Sequence, residues 1–279
     1  MAFKRRIELL AGEKNNEALK ITDLKISFNV MKTKGGKNKE NNAKIQVYNV
    51  NEETSNMLCK AGNHVILKAG YEDEIVKTIL IGDIVKGEVT REGTEKVVTL
   101  EVMDGRNQLL KGRISIGFGK NTDAVTIAQS FIDALGFPVK GLENIPNDKY
   151  KHGFSFIGMA FDGLKQVLDK YDLEYSIQNE MLYIKKAGQS IQNLGLNLRF
   201  DTGLLSSPRN VSEKEAKDMK GNAAHKWKFK TLLFPQLVPG VVCRVESDTY
   251  TGQIKISEVL FLGDNFSGDF ICEVIGEEA

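Results

Sequence analysis

The chain has 279 residues, 41% hydrophobic and 27% charged, with 38 Lys and Arg against 37 Asp and Glu for a net charge of +1. That length suits two or three modest domains with cores of their own. The charge balance argues against a dedicated nucleic-acid binder, whose phosphate contacts demand a basic excess. No apolar run approaches the roughly 18 residues that cross a bilayer, and the apolar stretch in MAFKRRIELLAGEKNN is too short for a signal-peptide core, so a cytoplasm is the expected place of synthesis.

From the N-terminus, LKISFNV (Leu24–Val30) alternates Leu24, Ile26, Phe28 and Val30 with polar residues, the period of a strand with one buried face. AKIQVYNV (Ala43–Val50) repeats it, with Ile45 and Val47 on one side. Between them KTKGGKNKENN (Lys32–Asn42) lacks apolar anchors and is expected to be a mobile hairpin tip. EETSNMLCKAG (Glu52–Gly62) reads as a short helix with Met57 and Leu58 inward. Strands at Val65–Tyr71, Lys77–Ile84 and Val97–Met103 follow, with REGT (Arg91–Thr94) as a hairpin turn. This pattern predicts a small antiparallel barrel or sandwich over residues 1–112.

The period then changes. Val125, Ala128, Phe131, Ile132 and Leu135 fall at helical spacing, with Thr122 or Asn121 as N-cap and Gly136 as C-cap. A second helix is predicted over Met159–Lys170, and EYSIQNEMLYIKK (Glu174–Lys186) reads as a hairpin turning at Gln178–Glu180. Residues 113–188 are thus an α+β insert. Strands return in 189–279, through LNLRFDTGLLSSP, LLFPQLVPGVVCRV and GQIKISEVLFLGDN, and this span is read as a second β-barrel domain. The polar stretch Arg209–Lys226 between them is too long for an ordinary connection and is read as either a flexible loop or a segment that orders only against a partner. The fold class is therefore mainly β with an α+β insert.

No catalytic constellation emerges. His64, His152 and His225 are scattered, and Cys59, Cys243 and Cys272 form no CxxC pair, so neither zinc nor a disulfide framework is indicated. Cys243 and Cys272 read as small buried hydrophobes. GFGKN (Gly117–Asn121) lacks the spacing of a phosphate loop and reads as a tight turn. Gly82-Asp83 and Gly263-Asp264 each follow an apolar run, and both read as turns whose Asp satisfies backbone N–H groups. No cofactor and no metal site is expected. Lys34, Lys37, Lys39 and Trp227 are the residues offered for an interface: three lysines of a charged tip, and the one tryptophan.

At FDTGLLSSP, LLFPQLVPGVVCRVES and GQIKISEVLFLGDNFSGDF the chain resembles the baseplate hub proteins of contractile-tailed bacteriophages, the group that includes late control protein D. LKISFNVMKT, NNAKIQVYNV and MDGRNQLL resemble the opening domain of that family, and KHGFSFIGMAFDGLKQVL its middle domain. The resemblance implies a virion protein: a homotrimer with two tail-tube-like domains per subunit, six in all, forming a pseudo-six-fold ring. Its implied partners are the tail tube protein above, the central spike protein below and other baseplate proteins, with DNA only passing through the lumen. It implies no enzyme; wall-degrading activity is expected in another protein. Three other readings remain open: the homologous hub of a tailocin or injection device, a tail-associated peptidoglycan hydrolase, and a carbohydrate- or receptor-binding module.

Overall fold

A computed structural model describes residues 4–14, 18–34, 41–72, 76–186, 189–190, 192–211 and 226–279. The chain opens with β1 (Arg5–Gly12), β2 (Leu19–Ile21), β3 (Ile26–Thr33) and β4 (Asn42–Tyr48). After α1 (Glu52–Leu58) come β5 (His64–Tyr71), β6 (Lys77–Glu92) and β7 (Glu95–Met103). The middle holds α2 (Arg106–Lys111), β8 (Arg113–Phe118), β9 (Thr122–Asp123), α3 (Ala124–Leu135), β10 (Val139–Lys140) and β11 (Lys149–Tyr150). It continues with β12 (Phe154–Met159), α4 (Ala160–Asp169), β13 (Leu173–Gln178) and β14 (Met181–Lys186). The last part holds β15 (Gln192–Leu198), β16 (Arg209–Asn210), β17 (Lys226–Leu232), β18 (Val241–Glu246), β19 (Thr251–Asp264) and β20 (Phe270–Glu278). The protein is mainly β. It divides into two compact units, a β unit from the described residues within 1–34, 39–103 and 190–279, and an α+β unit within 104–189.

The β unit is one 13-stranded sheet, in the order β16-β17-β20-β19-β3-β4-β7-β6-β5-β1-β2, with β18 on β19 and β15 on β18. Its N-terminal and C-terminal strands join where β3 pairs antiparallel with β19, Thr33 opposite Glu258 and Ser27 opposite Asp264. β15 runs parallel to β18 and departs from the antiparallel rule of the rest. Alternation decides which side chains face inward: Ile26, Phe28 and Val30 on β3, Ile45 and Val47 on β4, Val259 and Phe261 on β19 are buried in a single core. Phe270 sits edge-on to Tyr71 at 5.3 Å and to Phe28 at 6.5 Å, so residues from both chain ends share one aromatic contact.

The α+β unit is built locally. α3 buries Ile127, Ala128, Phe131, Ile132 and Leu135 and stops at Gly136, whose φ of 70° suits a residue without Cβ. Phe131 lies edge-on to Phe154 at 6.1 Å and to Phe156 at 5.3 Å. Close approach of α4 depends on Gly163, where an added Cβ would lie 2.3 Å from the Phe131 ring. The β13–β14 hairpin turns on Asn179 and Glu180, both at positive φ (54° and 56°), as a type I′ turn requires. Buried Asp104 accepts the N–H of both, at 2.8 and 2.9 Å.

Several local expectations change. Gly82-Asp83 is strand, not turn: it lies within β6, Gly82 opposite Val65 and Asp83 opposite His64. Glycine is required there because a Cβ would come 2.5 Å from the Met103 carbonyl oxygen. Gly263-Asp264 does end in a turn, Asp264 Oδ1 accepting from the N–H groups of Phe266 and Ser267. The N-cap of α3 is Asp123. β15 ends at Leu198 and a short 3-10 turn, Phe200–Thr202, interrupts LNLRFDTG. β3 reaches Thr33, whose N–H bonds Asn41 Oδ1 at 2.9 Å, and Lys32 is wholly buried; the ends of the expected lysine-rich tip are therefore ordered strand. The rest of that tip, 35–40, and most of Arg209–Lys226 lie outside the described residues.

Candidate functional site

The lysine cluster comes first. Lys34 Nζ contacts the Glu277 carboxylate. Lys255 Nζ lies 3.8 Å from the same group, and Lys226 stands directly opposite Glu277 in the β17–β20 register. Burial pushes the Glu277 carboxyl upward, but Lys34, Lys255 and Lys226 outweigh it and hold the group below its ordinary value. Sequence reasoning found Lys34 and missed the other two, because only the pairing of distant strands gathers them. Lys37 and Lys39 lie outside the described residues.

Trp227 is one register step away but on the opposite face. It pairs with Gly276, packs against the core and leans on Tyr250 with ring centroids 4.5 Å apart. The structure therefore does not bring Lys34 and the Trp227 ring to one surface.

Sheet edges are the second feature. β5 covers β6 only as far as Asp83, and Lys86–Glu92 pair only with β7 among the described residues. In a hairpin closed by Glu92 and Glu95, main-chain groups alternate between partner and edge, which leaves those of Gly87, Val89 and Arg91 pointing outward. Exposed charges including the Lys86–Glu88 pair (2.9 Å) flank this edge, a usual guard against promiscuous pairing. At one end of the strand order the terminal strand is β16, two residues long.

Reactive chemistry is poorly served. Desolvation raises the thiols of Cys243 and Cys272 to about 12, so neither is a thiolate near neutral pH. His64 Nδ1 lies 3.3 Å from Oδ1 of buried Asp83, a cross-strand tie between β5 and β6. A cleft of about 670 Å³ between the end of β1 and α1 is lined by Glu13, Asn51, Thr54 and Lys60 among others, with no His, Cys or Asp among the described lining residues. In the α+β unit, Lys170 and the Tyr171 hydroxyl both donate to Asp148 Oδ2, at 2.9 and 2.8 Å, and hold that carboxyl down at about 2.

No protein-family model matches the chain, and no curated protein matches it. Solved structures do. The 43 kDa tail protein of prophage MuSo2 from Shewanella oneidensis superposes with a TM-score of 0.67 at 8% identity, over 97% of this chain and 96% of that one. The tail protein from Neisseria meningitidis MC58 gives 0.63 at 8% identity, over 98% and 96%. An E. coli component of the type VI secretion system, described as structurally similar to T4 bacteriophage tail proteins gp27 and gp5, gives 0.56 at 11% identity, over 100% and 75%. At such identities the likeness defines a fold, and the fold is that of phage tail proteins.

Proposed function

We propose that this chain is a structural component of a phage tail, and within it the baseplate hub: a homotrimer joining the six-fold tail tube to the three-fold central spike. The observation that carries the proposal is the end-to-end likeness to two tail proteins, which leaves almost no part of either chain unmatched. In this reading 1–112 and 189–279 are two tube-like domains flanking 113–188, and they meet inside one subunit through the β3–β19 pair. The same kind of edge pairing between subunits joins the open edge of β6 to the β16–β17 end of a neighbour and closes the ring. Lys34, with Lys37 and Lys39 next to it in sequence, stays in the proposed interface; Trp227 contributes only through its strand, since its ring faces the core. The tube protein, the spike and other baseplate proteins are the partners, DNA only transits the lumen, and the finished protein resides in the virion. No enzymatic role belongs to this reading.

A bifunctional cross-linker tests it. Cysteines placed at Val89 and Asn210, both exposed, in a Cys59→Ser background should give a ladder that ends at the trimer. Products confined to single chains would contradict the ring. The likeness to a type VI secretion component favours a second reading, the equivalent part of a contractile injection device, and genes flanking the coding sequence separate the two.

A further inference from the structure

In the α+β unit β8 and β12 form a ribbon of two strands and no more among the described residues. The Ala160 N–H bonds the Gly112 carbonyl, and the same register makes Gly158–Ile114, Phe156–Ile116 and Phe154–Phe118 the hydrogen-bonded pairs. Between them Arg113, Ser115 and Gly117 on β8, with Ser155 and Ile157 on β12, turn their main-chain N–H and C=O groups outward. No described residue takes up those groups. β8 therefore presents an open edge. On one face of the ribbon Ile114, Ile116 and Phe118 lean on the core of the unit, yet each keeps partial exposure. The other face is exposed from end to end, Ile157 to 82%.

Charge says what fits the edge. Residues 113–121 and 151–159 hold Arg113, Lys120 and Lys151 and no Asp or Glu. Arg113 stands at one end of the ribbon; Lys120 and Lys151 stand beyond the other, past the Phe118–Phe154 pair. All three are exposed, and none makes an ion pair among the described residues. Acids close in sequence do not serve them. Asp123 faces Lys149 at 3.8 Å and Asp148 holds Lys170 at 2.9 Å, while exposed Asp162 on α4 bonds none of the three. A second copy of the ribbon would set cations against cations. A nucleic-acid strand would meet the cations with phosphate acceptors, but the edge also needs acceptors and donors in alternation, which a polypeptide backbone supplies. Glycine at 117 agrees: its φ is not positive and a Cβ there would meet nothing within 4 Å. The subunit's own packing does not call for it, whereas close approach of another backbone does.

We infer that the β8 edge takes an extended segment of a partner protein as a third strand. Its alternate apolar residues cover Ile114, Ile116 and Phe118, and its acidic groups meet Arg113 at one end and Lys120 and Lys151 at the other. The edge lies wholly within the α+β unit, so the inference stands apart from the ring proposed above.

Fluorescence anisotropy with the full-length protein tests the inference. The probe is a labelled peptide of alternating valine and serine with two glutamates at each end. It should bind, and the same peptide ended by lysines should not. Methylating every second backbone amide should abolish binding in one frame and spare it in the other, because only one set of N–H groups faces the edge. Ser115→Pro removes an outward N–H without touching the β8–β12 ladder and should weaken binding about tenfold or more. Gly117→Val should also weaken it, with the melting temperature unchanged or raised, since valine has room there and suits a strand. Circular dichroism and melting verify that each variant is folded; if Ser115→Pro is not, Gly117→Val and the methylated peptides decide. No binding of the glutamate peptide, equal binding in both methylation frames, or preference for the lysine peptide or for single-stranded DNA would overturn the inference. A Gly117→Val chain that melts lower or binds like wild type would overturn it too. So would light scattering in which Ser115→Pro breaks up an oligomer, because the edge would then belong to a second copy.

Discussion

The α+β unit takes its partners from one stretch of chain, Asp104 reaching no further than Glu180, 76 positions away. The β unit reaches across nearly the whole protein: the Ile26 N–H bonds the Asn265 side chain, 239 positions on. Both units end with dense apolar cores, yet the loop-closure entropy each must overcome differs. Local contacts form quickly and form during synthesis; the β3–β19 pairing waits for the C-terminus. The architecture thus makes the N-terminal and C-terminal strands of the β unit depend on a single junction.

Truncation gives the largest effect. A chain ending at Gln189 lacks β19 and β20 and should show no cooperative β melt, whereas 104–189 expressed alone should keep its helical circular dichroism and a cooperative transition. A stable, cooperative 1–103 fragment would show that the N-terminal half has a core of its own. Next come two matched core deletions. Phe261→Ala and Phe131→Ala should each cost about 3–5 kcal/mol, but with different reach. Hydrogen exchange should show Phe261→Ala deprotecting β3 and β4 as well as β19 and β20, and Phe131→Ala deprotecting only the α+β unit.

Smaller still is Gly163→Ala. The methyl meets the Phe131 ring at 2.3 Å, so overpacking of about 1–3 kcal/mol exceeds the roughly 1 kcal/mol gained in helix propensity. A raised melting temperature would show that α3 and α4 part without strain. The mildest test is acid. Asp148 is depressed to about 2 from 3.8, so its contribution is complete above the ordinary value and is lost as pH falls through about 2. Wild type should lose stability of the α+β unit over that window, and Asp148→Asn should lack this component; urea melts at stepped pH measure it.

What the sequence made legible was whatever is local. Alternation placed β3 and β4, helical spacing placed α3 and α4, and the Asn179-Glu180 turn stood out between two apolar runs. β1 went unread because RRIELLAG does not alternate cleanly: Glu8 stands at a buried position, accommodated by Arg6 and Lys20 at 2.9 and 3.1 Å. The two Gly-Asp pairs look alike in sequence, yet Gly82-Asp83 lies inside β6 while Gly263-Asp264 ends β19 and opens a turn. Lys34 was visible as a charge, but its meeting with Glu277 and Lys255 was not, since that depends on which strands lie side by side.

The central claim is that two linked β halves per chain leave edges that only other copies complete. Light scattering coupled to size-exclusion chromatography, on the full-length protein alone and with its tube and spike proteins, tests it most directly. The account predicts a species of three chain masses, at the latest when a neighbouring tail protein is added. A monomer that persists with both partners present would contradict it.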